Sequence, residues 1–334
     1  MSGRGDRPPG MMAVARHAGV SHQTVSRVLN DPEAVRPATR ERVLASMREL
    51  GYSRNLAARA LVTQQTSLLG VVWTGTDYFG PSSTVVAIEL AARAAGYSCL
   101  VGALGEYRTD DMRALFQTFR DRGVEGIVAV APHERAAALV AEYAVGIPAV
   151  LVSAVGSRPD FTCVAVDQEL GARLVVGHMI ERGCRRVAHV SGPVDWFDAQ
   201  ARVRGWRVAL EEAGLVDSPV LVGDWSPESG YDLGRSMISS GDLPDAIFCG
   251  NDAMAMGLLR ALREAGIEAP ADVSVAGFDD IVGAAFMVPP LTTVAQPFAE
   301  LGRSALAALV RVIDGAEPSL VRLRPELIVR SSVR

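Results

Sequence analysis

Five polar side chains crowd one short stretch of this chain: Ser21, His22, Gln23, Thr24 and Arg27, inside the run Ala15–Asn30. The run reads as helix, tight turn, helix. Gly19 supplies the turn, and Ser21 is a good N-cap for the second helix. Ala15, Ala18, Val20, Val25, Val28 and Leu29 can share one small core. That leaves short polar side chains and Arg27 on the outer face of the second helix. Such a layout lets a helix lie in a DNA major groove with polar groups against base edges and phosphates. The competing reading is an amphipathic helix pair inside a larger core.

Other chemistries lack their residues. No G-x-G-x-x-G follows the apolar run Leu68–Trp73, and no G-x-x-x-x-G-K-[ST] occurs anywhere. His17, His22, His133, His178 and His189 form no Ser/His/Asp arrangement. Cys99, Cys163, Cys184 and Cys249 lie far apart, with no CxxC spacing and no His at ligand spacing. Buried reduced thiols are expected, with no metal and no cofactor, and catalysis is not.

A chain of 334 residues is too long for one ordinary core. Its net charge of −5 is unevenly divided: residues 1–62 carry ten Arg against five acids, a net +5, and the remainder carries 23 Arg against 33 acids, a net −10. A basic head on an acidic body suggests that the head alone meets a polyanion. Met1–Gly10 is polar and has no apolar h-region, so no secretory signal and a cytoplasmic location are expected. The longest apolar stretch, near Ala136–Val155, contains Glu142 and Pro148. It reads as helix then strand, not a membrane span.

Stepping along the chain, residues 1–10 read as a disordered tail and 11–54 as a helical DNA-binding domain. A third helix is predicted from Pro37 to Leu50, stopped by Gly51, with Val43, Leu44, Met47 and Leu50 on its apolar face. Asn55–Val62 is an Ala/Leu segment too short to be a stable helix alone, and residues 55–67 read as hinge and linker. From Leu68, apolar runs alternate with helical stretches. The runs are Leu68–Trp73, Tyr97–Ala103, Val124–Val130, Ile147–Ser153, Cys163–Val166, Arg186–Ser191, Val220–Val222, Ala246–Cys249 and Val273–Ala276. The helical stretches include Val86–Ala95, Leu170–Arg182, Ala201–Ala213 and Asp252–Ala265. The pattern predicts an α/β fold of parallel sheets flanked by helices. There are more strands than one open sheet holds, so two βα subdomains with a cleft at their strand carboxyl ends are expected.

Several stretches together resemble the lactose-repressor/galactose-repressor family of bacterial transcription regulators. They are Ala18-Gly19-Val20-Ser21 through Thr24-Val25-Ser26-Arg27-Val28, then Asn55 and Leu61. Further on come Gly223-Asp224-Trp225-Ser226, Gly250-Asn251-Asp252, Gly277-Phe278-Asp279-Asp280, and Pro290-Leu291-Thr292-Thr293-Val294 with Gln296. The resemblance covers nearly everything from Ala15 to Arg330, and its cleft motifs resemble the lactose-repressor branch in particular. It implies a three-helix helix-turn-helix head, a hinge helix and a periplasmic-binding-protein-like core at 68–334. The core's N-subdomain would be about 68–166 and 296–324, its C-subdomain about 167–295 and 325–334.

For DNA, the resemblance implies that His22 and Gln23 read base edges; Gln suits adenine N6/N7, and His suits guanine or a thymine methyl. Arg27 would reach a base or a phosphate. Ser21, Thr24, Asn30 and Tyr52 would position the head on phosphates. Asn55, Ala58 and Leu61 would lie on paired hinge helices, with Leu61 wedged into the minor groove. The operator would be a pseudopalindrome of double-stranded DNA bound by a homodimer, because no heptad tail follows the last core strand.

For an effector, the resemblance implies a cleft containing Phe79, Pro81, Ser82, Trp196, Asp198, Arg202, Trp225, Asn251, Asp279, Gln296 and Phe298. A carboxylate, planar donors and amides suit vicinal hydroxyls, and aromatic faces suit the C–H surface of a sugar ring. A glycoside or disaccharide that releases a repressor from DNA is expected. Alternatives are a nucleobase corepressor, an activator, or a transport-type binding protein. Asp279 could instead cap a turn, Asn251 a helix, and Arg202 could serve as a structural ion pair. Two departures stand out. Met11–Ala13 and Arg36 replace capping residues at the first and third helices, and Ser153 stands where the family often has Asp, a place Asp198 could fill.

Overall fold

The computed structural model describes residues 9–52, 65–74, 78–105, 107–156, 158–216, 218 and 220–334. They fall into two compact units, divided between Thr66 and Ser67.

The first unit is helical: α1 Met11–Ala18, α2 His22–Asn30 and α3 Pro37–Glu49. Gly19 takes the left-handed conformation after α1 (φ 65°), and its turn is closed by the Val20 N–H donating to the Ala15 carbonyl at 3.0 Å. Ser21 Oγ then accepts the Thr24 N–H at 3.1 Å and caps α2. Val14, Ala15, Ala18, Val25, Val28, Val35, Val43 and Met47 form the core, with Val20, Leu29 and Leu50 against it. Leu44 corrects the predicted apolar face: it is 39% exposed, and Ser46 is buried in its stead. The Ser46 hydroxyl is satisfied within its own helix by donating to the Arg42 carbonyl at 2.9 Å. Neither Gly10 before α1 nor Arg36 before α3 makes a side-chain capping bond.

The second unit alternates strand and helix. In order these are β1 Leu68–Trp73, α4 Phe79–Ala94, β2 Ser98–Ala103, α5 Thr109–Asp121, β3 Gly126–Val130, α6 Glu134–Tyr143, β4 Ala149–Val152, β5 Thr162–Val166 and α7 Gln168–Glu181. They continue as β6 Val187–Ser191, α8 Phe197–Glu212, β7 Val220–Val222, α9 Pro227–Ser240, β8 Ala246–Cys249, α10 Asp252–Glu264 and β9 Ser274–Ala276. The last are β10 Thr293–Ala295, α11 Phe298–Ile313, β11 Leu320–Leu323 and β12 Glu326–Ile328.

Two sheets result. One is six-stranded in the order β11-β5-β4-β3-β1-β2, the other four-stranded in the order β7-β6-β8-β9, and every pairing in both is parallel. Strands β3, β4, β5, β6 and β8 are buried along their whole length, as parallel strands covered on both faces must be. An antiparallel pair, β10 with β12, extends the second sheet's lobe: Gly277 and Asp279 donate their N–H groups to the Thr292 and Val294 carbonyls. The chain passes between the lobes three times, at Val166–Gln168, Ala295–Phe298 and Leu323–Glu326. Among the described residues no helix is long and apolar enough to cross a membrane.

Three predicted helix starts are corrected, the stretch foreseen from Leu170 beginning at Gln168. The stretch foreseen from Val86 begins at Phe79, so Phe79, Pro81 and Ser82 lie in the first turns of α4. The stretch foreseen from Ala201 begins at Phe197, so Asp198 is helical and Trp196 is the residue before the helix.

Candidate functional site

In the first unit, Ser21 at the cap of α2 and His22, Gln23 and Arg27 on it are exposed, Thr24 on it is half-buried, and Tyr52, after α3, is half-buried. Gln23 and Arg27, one turn apart, share a face, opposite the buried Val25 and Val28. Thr24 Oγ1 and Ser21 Oγ are hydrogen-bonded at 2.9 Å. Asn30 ends α2, its side chain outside what is described; Asn55, Ala58 and Leu61 lie wholly outside the described residues.

In the second unit, the strand carboxyl ends of the two sheets face one cleft, which has two adjoining chambers of about 60 and 40 Å³. Pro81, Trp196, Asp198 and Gln296 border both chambers; Phe298 and Ser153 border the first, and Phe79, Arg202, Trp225, Asn251 and Asp279 the second. Ser82 is not brought to the cleft. Its hydroxyl donates back to the Tyr78 carbonyl at 2.9 Å, and it lines an outer groove of α4 with Val86 and Leu90.

Arg202 organises the second chamber. It is 4% exposed. Nε donates to Gln168 Oε1 at 3.0 Å, Nη1 donates to the Gly250 carbonyl, and Nη2 stands 3.6 Å from Asp279 and 3.9 Å from Asp198. The guanidinium also lies over the Phe278 ring at 3.8 Å and near Trp225 at 5.4 Å. Gln296, on the crossover before α11, donates to Asp279 Oδ1 at 2.7 Å and accepts from Gln168 Nε2 at 2.9 Å. The result is one continuous network of a guanidinium, a carboxylate and two amides, buried except at the half-buried Gln296.

Burial pushes the Asp279 carboxyl up to about 6, while Arg202 and Gln296 pull it back down. Asp198, whose side chain is 36% exposed, is also raised, by desolvation against the pull of Arg202. Behind them Asp252 is fully buried and pushed up to about 8, by burial first and by Asp279 second. It accepts from Thr293 Oγ1 at 2.5 Å and from the Ile281 N–H at 2.9 Å, which fixes the loop that carries Asp279.

Asn251 takes the capping role foreseen as the alternative to effector contact, and it borders the second chamber as well. Its Oδ1 caps α10 by accepting the Met254 N–H at 2.8 Å, while its Nδ2 donates to the Trp225 carbonyl at 3.0 Å. Trp225 and Asp279 hold positive φ values, 75° and 111°. Backbone strain of this kind collects where the surrounding structure fixes a side chain for use. The Trp225 ring lies so close to Gly192 that a Cβ there would fall 2.1 Å from it. Its indole N–H is buried and finds no partner among the described residues. Trp196 meets Trp225 edge-on at 5.7 Å and Tyr78 at 5.6 Å, joining the two lobes through aromatic contact.

Sequence reasoning passed over Gln168 and Tyr78. Gln168 opens α7, two residues before the helix was expected, and its partners Arg202 and Gln296 are remote in sequence. Tyr78 carries no motif. No group of His, Cys, Asp and Glu able to hold a metal occurs among the described residues.

Comparison with known proteins adds the following. The family described as bacterial regulatory proteins, lacI family, matches residues 11–55, and a periplasmic binding protein-like domain matches residues 176–333. The lactose operon repressor of Escherichia coli (strain K12) is 32% identical over 325 residues, covering 97% of this chain and 90% of its own. The ribose operon repressor of the same organism is 34% identical over 330 residues, covering 96% and 99%. The HTH-type transcriptional repressor PurR of Proteus mirabilis (strain HI4320) is 33% identical over 329 residues, covering 96% and 95%. Among solved structures, a lac repressor dimer bound to operator and the anti-inducer ONPF superposes with a TM-score of 0.85 at 32% identity, covering 98% of this chain and 99% of that one. A complex of the transcriptional regulator CelR with cellobiose gives 0.73 at 30% identity, covering 97% and 99%. These relatives are transcriptional regulators, not enzymes.

Proposed function

Because the chain belongs to the lacI family of bacterial regulatory proteins, and is therefore a DNA-binding transcriptional repressor, we propose that it represses carbohydrate-utilisation genes and leaves its operator when a sugar binds between its lobes. The observation that carries the sugar reading is the joined Arg202–Asp279–Gln296–Gln168 network beside Trp196 and Trp225. Vicinal hydroxyls donate and accept at once, so they need a carboxylate next to fixed N–H donors, with an aromatic face for the ring's C–H side.

On DNA, α2 enters the major groove with Gln23 and His22 reading bases, Arg27 beside them, and Ser21, Thr24, Asn30 and Tyr52 on phosphates. Asn55, Ala58 and Leu61 form the hinge at the minor groove. The working unit is a homodimer on a pseudopalindromic site, in the cytoplasm. The lac repressor dimer on operator supports this, as does the exposed apolar surface of α4 at Val86 and Leu90, 58% and 55% exposed. The chambers are smaller than the ~300–1,000 Å³ usual for ligand pockets, so ligand entry requires the lobes to part. Moving a 1:99 balance of the two states to 99:1 takes about 5.5 kcal/mol of differential affinity.

The likeness to PurR favours a second reading, a purine corepressor that tightens DNA binding. A mobility-shift titration on the DNA upstream of the chain's own gene separates them. Release by a sugar supports induction. Tightening by hypoxanthine or guanine, with no response to any sugar, replaces it.

A further inference from the structure

The two chambers hold an imbalance of charge. Among the described residues that border them, Arg202 is the only cation, and it meets two carboxylates, Asp198 and Asp279. The guanidinium is also closed to a newcomer. Nε and Nη1 are spent on Gln168 and the Gly250 carbonyl, and the Phe278 ring lies against the group at 3.8 Å. Only Nη2 remains, and it stands 3.6 Å from Asp279 and 3.9 Å from Asp198. A phosphate or carboxylate on a ligand finds no free donor fork there, and it meets two like charges in a site largely closed to water.

The acceptor side is open instead. The Asp198 carboxylate is half-buried and accepts no hydrogen bond among the described residues. Its one ion-pair partner is Arg202, four residues on along α8, and 3.9 Å is beyond hydrogen-bonding reach. The bonds to Gln168 and Gly250 hold the guanidinium away from it. Asp198 and Trp196 border both chambers, and Tyr78 and Trp225 border the second. A vacant carboxylate beside aromatic faces is what an ammonium group needs, since the charge pairs with the oxygens and is attracted to the ring faces.

A second vacancy points independently to a bound molecule. Trp225 is 5% exposed and borders the second chamber, and its indole N–H has no partner among the described residues. Leaving a buried donor unsatisfied is costly, and a ligand hydroxyl oxygen supplies the acceptor.

We infer that the effector is a sugar bearing a protonated amine: its ammonium pairs with Asp198 beside Trp196, its hydroxyls engage Asp279 and the Trp225 indole, and sugars that carry phosphate or carboxylate are shut out. The inference rests on the sugar reading above and narrows it to amino sugars.

Calorimetry on the full chain near neutral pH would compare pairs that differ only in amine against hydroxyl. The pairs are glucosamine with glucose, galactosamine with galactose, and the β-linked glucosamine dimer with cellobiose. A hexose phosphate and a hexuronic acid supply the acidic members. In the unaltered protein the amine of at least one pair should bind about tenfold more tightly than its hydroxyl partner, and the acidic sugars should not bind. Asp198→Asn keeps the shape and removes the charge, and should cut that amine-to-hydroxyl ratio about tenfold. Should the variant not fold, the pairs in the unaltered protein decide by themselves. Hydroxyl partners that bind as tightly as their amines, a neutral or acidic sugar that binds best of all, or a ratio that Asp198→Asn leaves unmoved overturns the amine assignment while the sugar reading stands. Silence toward every sugar ends the sugar reading itself, and this one with it.

Discussion

The Arg202 guanidinium and the Asp279 carboxylate stand 3.6 Å apart, both buried, with Gln168 and Gln296 bridging them on the side of the crossovers. Removing the cation strands Asp279 and the Gly250 carbonyl in a low-dielectric site. Arg202→Met should therefore cost about 3–5 kcal/mol of stability and abolish the effector response. Urea unfolding measures the first, and mobility shift with effector the second. A variant of unchanged midpoint would show the pair to be incidental.

Protonation of Asp279 should be visible in ligand binding. Its carboxyl sits at about 6 in the folded protein against a usual 3.8, so it is ionised above that pH and neutral below. A hydroxyl that donates to the ionised oxygen binds less well on acidification, so affinity should fall between about pH 7.5 and about pH 5. Stability moves in the opposite direction. The folded state holds a proton that the unfolded chain has released between pH 3.8 and about 6, so this group's contribution to stability declines as pH rises through that window. Asp279→Asn should flatten both profiles, as read by calorimetry and thermal melts.

Two glycine-to-alanine changes should have opposite signs. A Cβ at Gly257 would lie 1.8 Å from the Pro227 carbonyl oxygen, where α10 crosses α9 backbone to backbone. Gly257→Ala should destabilise the second unit by about 1–3 kcal/mol or more through overpacking. At Gly177, inside α7, a Cβ meets nothing within 4 Å, and alanine there should gain about 0.5–1 kcal/mol. Denaturant midpoints of the two variants, shifted the same way, would refute the packing account.

Among the described residues of the first unit, Ser21 alone caps a helix with its side chain, through the Thr24 N–H, since α1 and α3 begin without such a bond. Ser21→Ala should cost the first unit about 1 kcal/mol, and Arg36→Ser should return a comparable amount at α3. Hydrogen exchange of the helix amides would register both, and equal protection in all three proteins would count against the capping assignment.

The alternation of apolar runs with helical stretches made the two parallel sheets legible, because a strand buried on both faces, such as Ile127–Val130, has to be apolar throughout. The short strands β10, β11 and β12 were not legible. Leu320-Val321-Arg322-Leu323 and Glu326-Leu327-Ile328 are brief, interrupted by charge, and defined by partners far away in sequence. The start of α4 was hidden by Gly80-Pro81-Ser82-Ser83, which reads as loop although Pro in a first helical turn lacks only an N–H that has no helical acceptor there. Within the cleft, motif residues such as Asp279 and Trp225 could be named from their neighbours. Gln168 could not, since its role exists only after folding brings Arg202 and Gln296 to it.

The last stretch of chain is shared between the lobes: β11 pairs with β5 at the edge of the six-stranded sheet, β12 pairs with β10 in the other lobe, and Ser332 Oγ accepts the Thr292 N–H while donating to the Val275 carbonyl. During synthesis, therefore, neither lobe can complete its hydrogen bonding until residues 320–334 have left the ribosome. The edge of β5 (Thr162–Val166) stays open to solvent and to other nascent chains until β11 (Leu320–Leu323) emerges, whereas β10 (Thr293–Ala295) waits only for β12 (Glu326–Ile328). Closing of both lobes therefore waits on one and the same segment, so a chain stalled before residue 320 leaves the two halves of the core incomplete together.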